Sequence, residues 1–164
     1  EIRILKRTEK FSENVALIDN KYGDFTEFLE KSKRASREGF GAGSVVYLRS
    51  VFESVIKQVG ATENISDTFV DKNGKTQHKS TERYLKEVNE KRNIIPAEFS
   101  NDGYRLFREL SGVVHGNCSE KEALLKFNAF YRLVTGVLEK IKTNQELMEA
   151  IGTLGWNTGG DEDE

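Results

Sequence analysis

The chain has 164 residues, 32% of them charged, with a formal net charge of −2. That length fits one domain with a real core, and the charge gives no overall attraction to nucleic acid or anionic membrane, so any nucleic-acid site has to be a local basic patch. One cysteine excludes an intrachain disulfide and suits a reducing cytoplasm, and one proline argues against a turn-rich all-β fold.

Residues 1–22 read as a lead-in. Ile2, Ile4 and Leu5 allow a short strand, and no period is sustained. The chain begins at Glu1 rather than Met, which leaves room for a longer protein with a further domain or partner protein. A helix is predicted from Asp24, with Glu27 at capping-box spacing and Phe25, Phe28 and Leu29 as its apolar edge. Gly39, Gly41 and Gly43 are expected to break it. The next helix is predicted from Ser44, where Leu48, Val51, Phe52, Val55, Ile56 and Val59 recur at helical spacing, and Gly60 is expected to end it.

Residues 61–79 are too polar for a core element. Thr68-Phe69-Val70 and Thr76-Gln77-His78 flank Lys72-Asn73-Gly74-Lys75, and Asn-Gly is a strong hairpin signal. An exposed β-hairpin or long loop is expected there. A further helix runs from Ser80 to Lys91 with Tyr84, Leu85 and Val88 inward, and Pro96 lies in a linker.

The following helix spans Asp102 to His115, with Leu106, Phe107, Leu110, Val113 and Val114 on its apolar face and Gly116-Asn117 as its stop. Ser119 and Glu122 form a capping box for the longest helix, whose stripe runs from Ala123 through Phe127, Phe130, Tyr131, Val134 and Leu138 to Ile141. Thr143 and Glu146 make another capping box, for a short helix through Ile151. The end, Gly159-Gly160-Asp161-Glu162-Asp163-Glu164, reads as an acidic disordered tail. The expected fold is all-α: an antiparallel bundle of four or five main helices over residues 23–152, with the hairpin inserted and a tail over 153–164.

The chemistry concentrates in Phe107-Arg108-Glu109-Leu110-Ser111-Gly112-Val113-Val114-His115-Gly116. Arg108 and His115 are seven residues apart, almost two helical turns, so a continuous helix puts both on one face. A guanidinium that forks onto phosphate oxygens then shares a face with an imidazole that moves protons near neutral pH. In principle these suffice to cleave RNA without a metal. The plainer reading is a surface arginine and a histidine near a helix C-terminus. Gly112 lies between them, and a glycine inside a helix costs about 0.5–1 kcal/mol relative to alanine. Close approach of another backbone, a second subunit or a ligand would account for it.

This stretch resembles the R-x(4–6)-H signature of HEPN domains, with six residues between Arg108 and His115. The ending Gly112-Val113-Val114-His115-Gly116 resembles a prokaryotic HEPN-like group of largely unassigned function. Tyr47-Leu48-Arg49-Ser50-Val51-Phe52-Glu53 resembles the arginine-bearing helix found upstream in that group. The resemblance spans roughly residues 40–142. It implies metal-independent RNA cleavage by a homodimer, in a toxin or antiviral defence system. His115 would handle the ribose 2′-hydroxyl proton or the leaving oxygen, Arg108 would stabilise the phosphate, and Glu109 would orient one of them. The chain departs from a toxin subset in carrying Asn117 where that subset has tyrosine. The alternative is a catalytically silent dimerisation or interaction domain.

Arg49 and Glu53 stand at i, i+4. They read either as an intrahelical ion pair or with Arg49 reaching the Arg108–His115 cleft as a phosphate contact. His78, Lys72, Lys75 and Lys79 on or beside the hairpin are either a solvated loop or a basic finger on a nucleic-acid backbone. Lys31, Lys33, Arg34 and Arg37 invite the same two readings. There is no P-loop, dinucleotide fingerprint, zinc motif or nucleophile elbow, so no cofactor or metal is expected. No membrane-spanning run is present in the sequence.

Overall fold

A computed structural model describes residues 22–99 and 103–155. Nearly all of the expected lead-in and most of the acidic tail lie outside those residues. Among the described residues the chain is an all-α bundle of five helices with one two-stranded hairpin. No helix among them is long and apolar enough to cross a membrane.

A short 3-10 turn (Gly23–Phe25) leads into α1 (Thr26–Arg37). The expected capping box does not form. Asp24 lies inside the 3-10 turn, and the N-cap position falls to Phe25, whose αR backbone provides no side-chain cap. Leu29 is buried and Phe25 half-buried, while Phe28 stays 42% exposed, its ring tilted against Tyr47. Gly39, at φ +86°, closes α1: its N–H bonds to the Ser36 carbonyl and the Phe40 N–H to the Ala35 carbonyl.

α2 spans Gly41–Thr62, three residues earlier and two later than the glycines suggested. Gly41 and Gly43 are inside it, and only Gly39 is a breaker. Gly41 is a packing glycine. A Cβ there would collide with the Glu120 carbonyl oxygen and approach the Ala123 Cβ to 2.9 Å. Gly60 likewise does not end the helix; it makes room for the Tyr84 ring, with which a Cβ would overlap. Tyr84 in turn donates its hydroxyl to the Ile65 carbonyl, 3.3 Å away. α2 is the hub of the bundle. It packs on α1, α3 (Thr81–Arg92), α4 (Gly103–Val114) and α5 (Glu120–Thr153). Val45, Leu48, Val51, Phe52, Val55 and Ile56 are buried along it.

The hairpin forms as expected. β1 (Thr68–Val70) pairs antiparallel with β2 (Thr76–His78), Phe69 opposite Gln77. Its turn is wider than a two-residue Asn-Gly type. Asp71 accepts the N–H groups of Asn73 and Lys75 at 2.9 Å each, and Gly74 alone takes positive φ, the pattern of a type I turn with a glycine bulge. Two contacts tie the hairpin to α3: the Lys79 ammonium on the Glu87 carboxylate, and the Arg83 guanidinium 4.5 Å from the Phe69 ring centroid.

α3 is capped by Ser80, which accepts from the Arg83 N–H, and closes at Asn93 in the left-handed region. The linker after it buries Ile94 and Ile95, and a 3-10 turn at Ala97–Phe99 follows Pro96. α4 buries Leu106, Leu110 and Val113, with Phe107 and Val114 half-buried. α5 starts at the expected Ser119–Glu122 capping box. The second expected box, Thr143–Glu146, does not start a helix, because α5 runs unbroken for 34 residues. Nothing there interrupts the backbone hydrogen bonds, and Glu146 pairs with Lys142 instead.

Two outcomes follow from these contacts. Gly60→Ala is expected to destabilise the fold by about 1–3 kcal/mol, because Tyr84 has to move out of a filled site; urea denaturation measures it. The second concerns Glu87. Its hydrogen bond from Lys79, and secondarily the one from Arg83, hold this carboxylate below its ordinary value near 4.5 against the opposing effect of burial. A depressed carboxylate contributes stability that is full above the unfolded value and is lost as pH falls through the folded one. Hairpin docking should therefore hold at neutral pH and loosen in acid below about pH 4.5. An NMR titration following the Phe69 and Lys79 amides checks this, and Glu87→Gln should weaken that dependence.

Candidate functional site

At about 100° per residue, Arg108 and His115 fall on the same side of α4, directly opposite Leu106, Leu110 and Val113. Both are exposed. Among the described residues neither side chain has a hydrogen bond, and Arg108 has no ion pair. The expected shared face is therefore present, and it is the outermost face of the bundle at that helix.

The local backbone accounts for His115. Its N–H still bonds to the Ser111 carbonyl at 3.0 Å. Gly116 then turns left-handed at φ +81° and donates to Val113, while Asn117 donates to Gly112. This pair of bonds is a Schellman motif, which makes His115 the C-cap. Gly116 is thus required by its own backbone. Gly112 is not. A Cβ there would meet only the Asn117 side chain, at 3.9 Å and beyond. Nothing among the described residues presses on that spot, so the cost of an interior glycine has no offset within the described fold. On the adjacent residue, the Ser111 Oγ is buried without a partner, the one such side-chain atom among the described residues.

Glu109 does not contact Arg108 or His115. Its carboxylate lies 3.5 Å from Arg105 and 3.7 Å from Lys126 on α5, where it links the two helices. At 100° from Arg108 on the helix it points along the α5 flank. Direct orientation of either residue by Glu109 is therefore absent from this arrangement.

Arg49 forms the first of its two readings. Its Nε and Nη2 each lie 3.0 Å from the Glu53 Oε1, so the intrahelical pair forms. Its guanidinium also sits 5.6 Å from the Phe107 ring centroid, and that ring stacks on Phe52 at 6.5 Å. The Phe52–Phe107 contact thus brings Arg49 onto α4 beside the residue before Arg108. Sequence reasoning assigned Phe107 only to the core and missed this platform. Its half-buried aromatic position next to an arginine of the motif was the available signal.

The hairpin cations divide. Lys72 and Lys75 are exposed on the turn and have no ion pair among the described residues. Lys79 is not a finger residue, since its side chain is only 9% exposed and its ammonium is held by Glu87. His78 is exposed, 3.5 Å from Asp67. On α1, Lys31 pairs with Glu27, and Lys33 with Glu30 while lying 4.9 Å from the Tyr131 ring centroid; Arg34 and Arg37 are exposed without an ion pair among the described residues. Phe127 and Phe130 are buried, as a core reading requires. The half-buried thiol of Cys118 is pushed up chiefly by burial. Among the described residues no group of three or more His, Cys, Asp or Glu is placed to hold a metal ion.

Comparison with protein-family models, with curated proteins and with solved structures finds no match for this chain.

Because the described residues leave Gly112 unpacked, Gly112→Ala should raise the stability of the isolated chain by about 0.5–1 kcal/mol. Thermal unfolding at low protein concentration measures the gain; a loss would mean that something covers this spot even there.

Proposed function

We propose that the chain is a HEPN-like domain that binds and cuts RNA without a metal, acting as a homodimer in a reducing cytoplasm. The observation that carries this reading is the outer face of α4, where Arg108 and His115 stand exposed, without a partner among the described residues, on either side of a glycine that no described contact requires. A second copy approaching over Gly112 would bring two Arg108–His115 pairs to one cleft.

In that cleft the imidazole of one His115 takes the proton from a ribose 2′-hydroxyl. The 2′-oxygen attacks the adjacent phosphorus, and the bond to the 5′-oxygen breaks. The partner's His115, protonated, returns a proton to that oxygen. Arg108 donates to the non-bridging oxygens as charge builds on them. The products are a 2′,3′-cyclic phosphate and a free 5′-hydroxyl, with protons balanced. Arg49 of α2, whose guanidinium lies over the Phe107 ring of α4, would contact a neighbouring phosphate once Glu53 shares it. Lys72 and Lys75 would add backbone contacts that weaken with salt. A role in a toxin or antiviral defence system rests on the resemblance alone.

A second reading has its own support. The Schellman motif explains His115-Gly116 as a helix ending, with no chemistry implied. In this reading the chain is a catalytically silent dimerisation or interaction domain.

Labelled single-stranded RNA and tRNA incubated with the purified protein in EDTA separate the two. Cleavage to 2′,3′-cyclic phosphate ends, lost in both Arg108→Ala and His115→Ala, is the expected result. Both side chains are exposed, so each variant should fold within about 0.5 kcal/mol of the parent. Intact RNA with the parent across these substrates would leave the interaction domain as the reading.

A further inference from the structure

A pocket of about 330 Å³ lies between α2 and the open end of the hairpin. Its apolar lining is Ile56 and the Tyr84 ring, both buried. Glu53 and Lys57 line it from α2, Asp67 and His78 from the two ends of the hairpin, and Thr81 from the start of α3.

The pocket adjoins the α4 face through Glu53. The Oε1 atom of this residue lies 3.0 Å from the Arg49 Nε, and the Arg49 guanidinium lies over the ring of Phe107, the residue before Arg108. Glu53 follows Arg49 by one turn, about 6 Å along α2. A strand held at Arg108 and Arg49 therefore meets this pocket next.

The open groups around it are mainly acceptors. Arg49 engages the Glu53 Oε1, which leaves Oε2. Among the described residues the Asp67 carboxylate has one ion pair, the 3.5 Å contact with His78, and the Thr81 hydroxyl has no hydrogen bond. Lys79 is already held by Glu87. Lys57 is exposed and has no ion pair among the described residues. Two carboxylates on one small pocket repel a phosphate and accept N–H groups.

We infer that this pocket receives one unpaired base of a bound RNA strand and selects a base with an exocyclic amino group, guanine first. The inference rests on the RNA reading of the α4 face. Unpaired bases are read through hydrogen bonds along their edges. Guanine presents a ring N–H and an amino group side by side, a pair that one carboxylate accepts with both oxygens. Adenine and cytosine present one amino group. Uracil presents a single N–H between two carbonyl oxygens, which the carboxylates repel. Lys57 takes the phosphate of the same nucleotide. The pocket then fixes which base stands near the cut, while Arg108 and His115 make it.

Short 2′-O-methyl oligouridine, which has no 2′-hydroxyl to start the cut, tests this beside the same oligomer carrying one guanosine. Fluorescence anisotropy with the full chain should show about tenfold tighter binding of the guanosine oligomer. Inosine in its place, which lacks the amino group, should remove most of that gain. So should Asp67→Asn; the Asp67 side chain is 67% exposed, so this variant should fold. Equal binding of the uridine and guanosine oligomers, or a gain that survives either change, overturns the inference and leaves the RNA reading standing. No binding of any oligomer at low salt, with unmodified labelled RNA left intact, overturns both.

Discussion

The bundle depends on how closely α2 and α5 approach at their starts. Gly41 lets the α2 backbone come against the Glu120 carbonyl and Ala123, and the Glu120 carboxylate accepts the Ala42 N–H at 3.0 Å. Two helix N-termini thus meet at one carboxylate, which satisfies an orphan donor and places negative charge between two positive dipole ends. The consequence reaches α4. Only the short turn from His115 to Ser119 separates α4 from α5, so fixing where α5 begins fixes where α4 ends. The position of His115 on the molecule is therefore set by a glycine seventy-four residues earlier in the chain.

Much of this was legible in the sequence because it is written in periodicity and in caps. The Leu48–Ile56 stripe, the α4 core face and the Ser119–Glu122 box are local patterns, and each formed. The hairpin was legible for the same reason, through Gly74 and the polar run around it. What was not legible depended on contacts between distant segments. Gly41 and Gly60 looked like stops because glycine carries no mark that separates a break from a close approach. Only the partners, Glu120 with Ala123 and Tyr84, decide which it is. Thr143–Glu146 misled in the opposite sense, since capping-box spacing also recurs inside a continuing helix.

The candidate site divides along the same line. Helical spacing alone put Arg108 and His115 on one face. It did not reveal that Glu109 faces α5 and is shared by Arg105 and Lys126, because that depends on which way α5 passes. Nor did it reveal that Lys79 is held at the base of the hairpin, although it neighbours residues that are open to solvent. Charge pattern lists the cations, and tertiary pairing decides which of them stay open to solvent. Arg108, Lys72 and Lys75 belong to that second group, and Arg49 stands between the two.

The length of α5 has a consequence of its own. At about 1.5 Å per residue its 34 residues make a rod of about 51 Å, longer than a small domain is wide. One end carries the capping box beside the His115 turn; the other carries Leu147, Met148 and Leu154 far along the axis. A body seated at the far end would not crowd one seated at the near end. The two ends of α5 are therefore separate places on the molecule, too far apart for one small ligand to span.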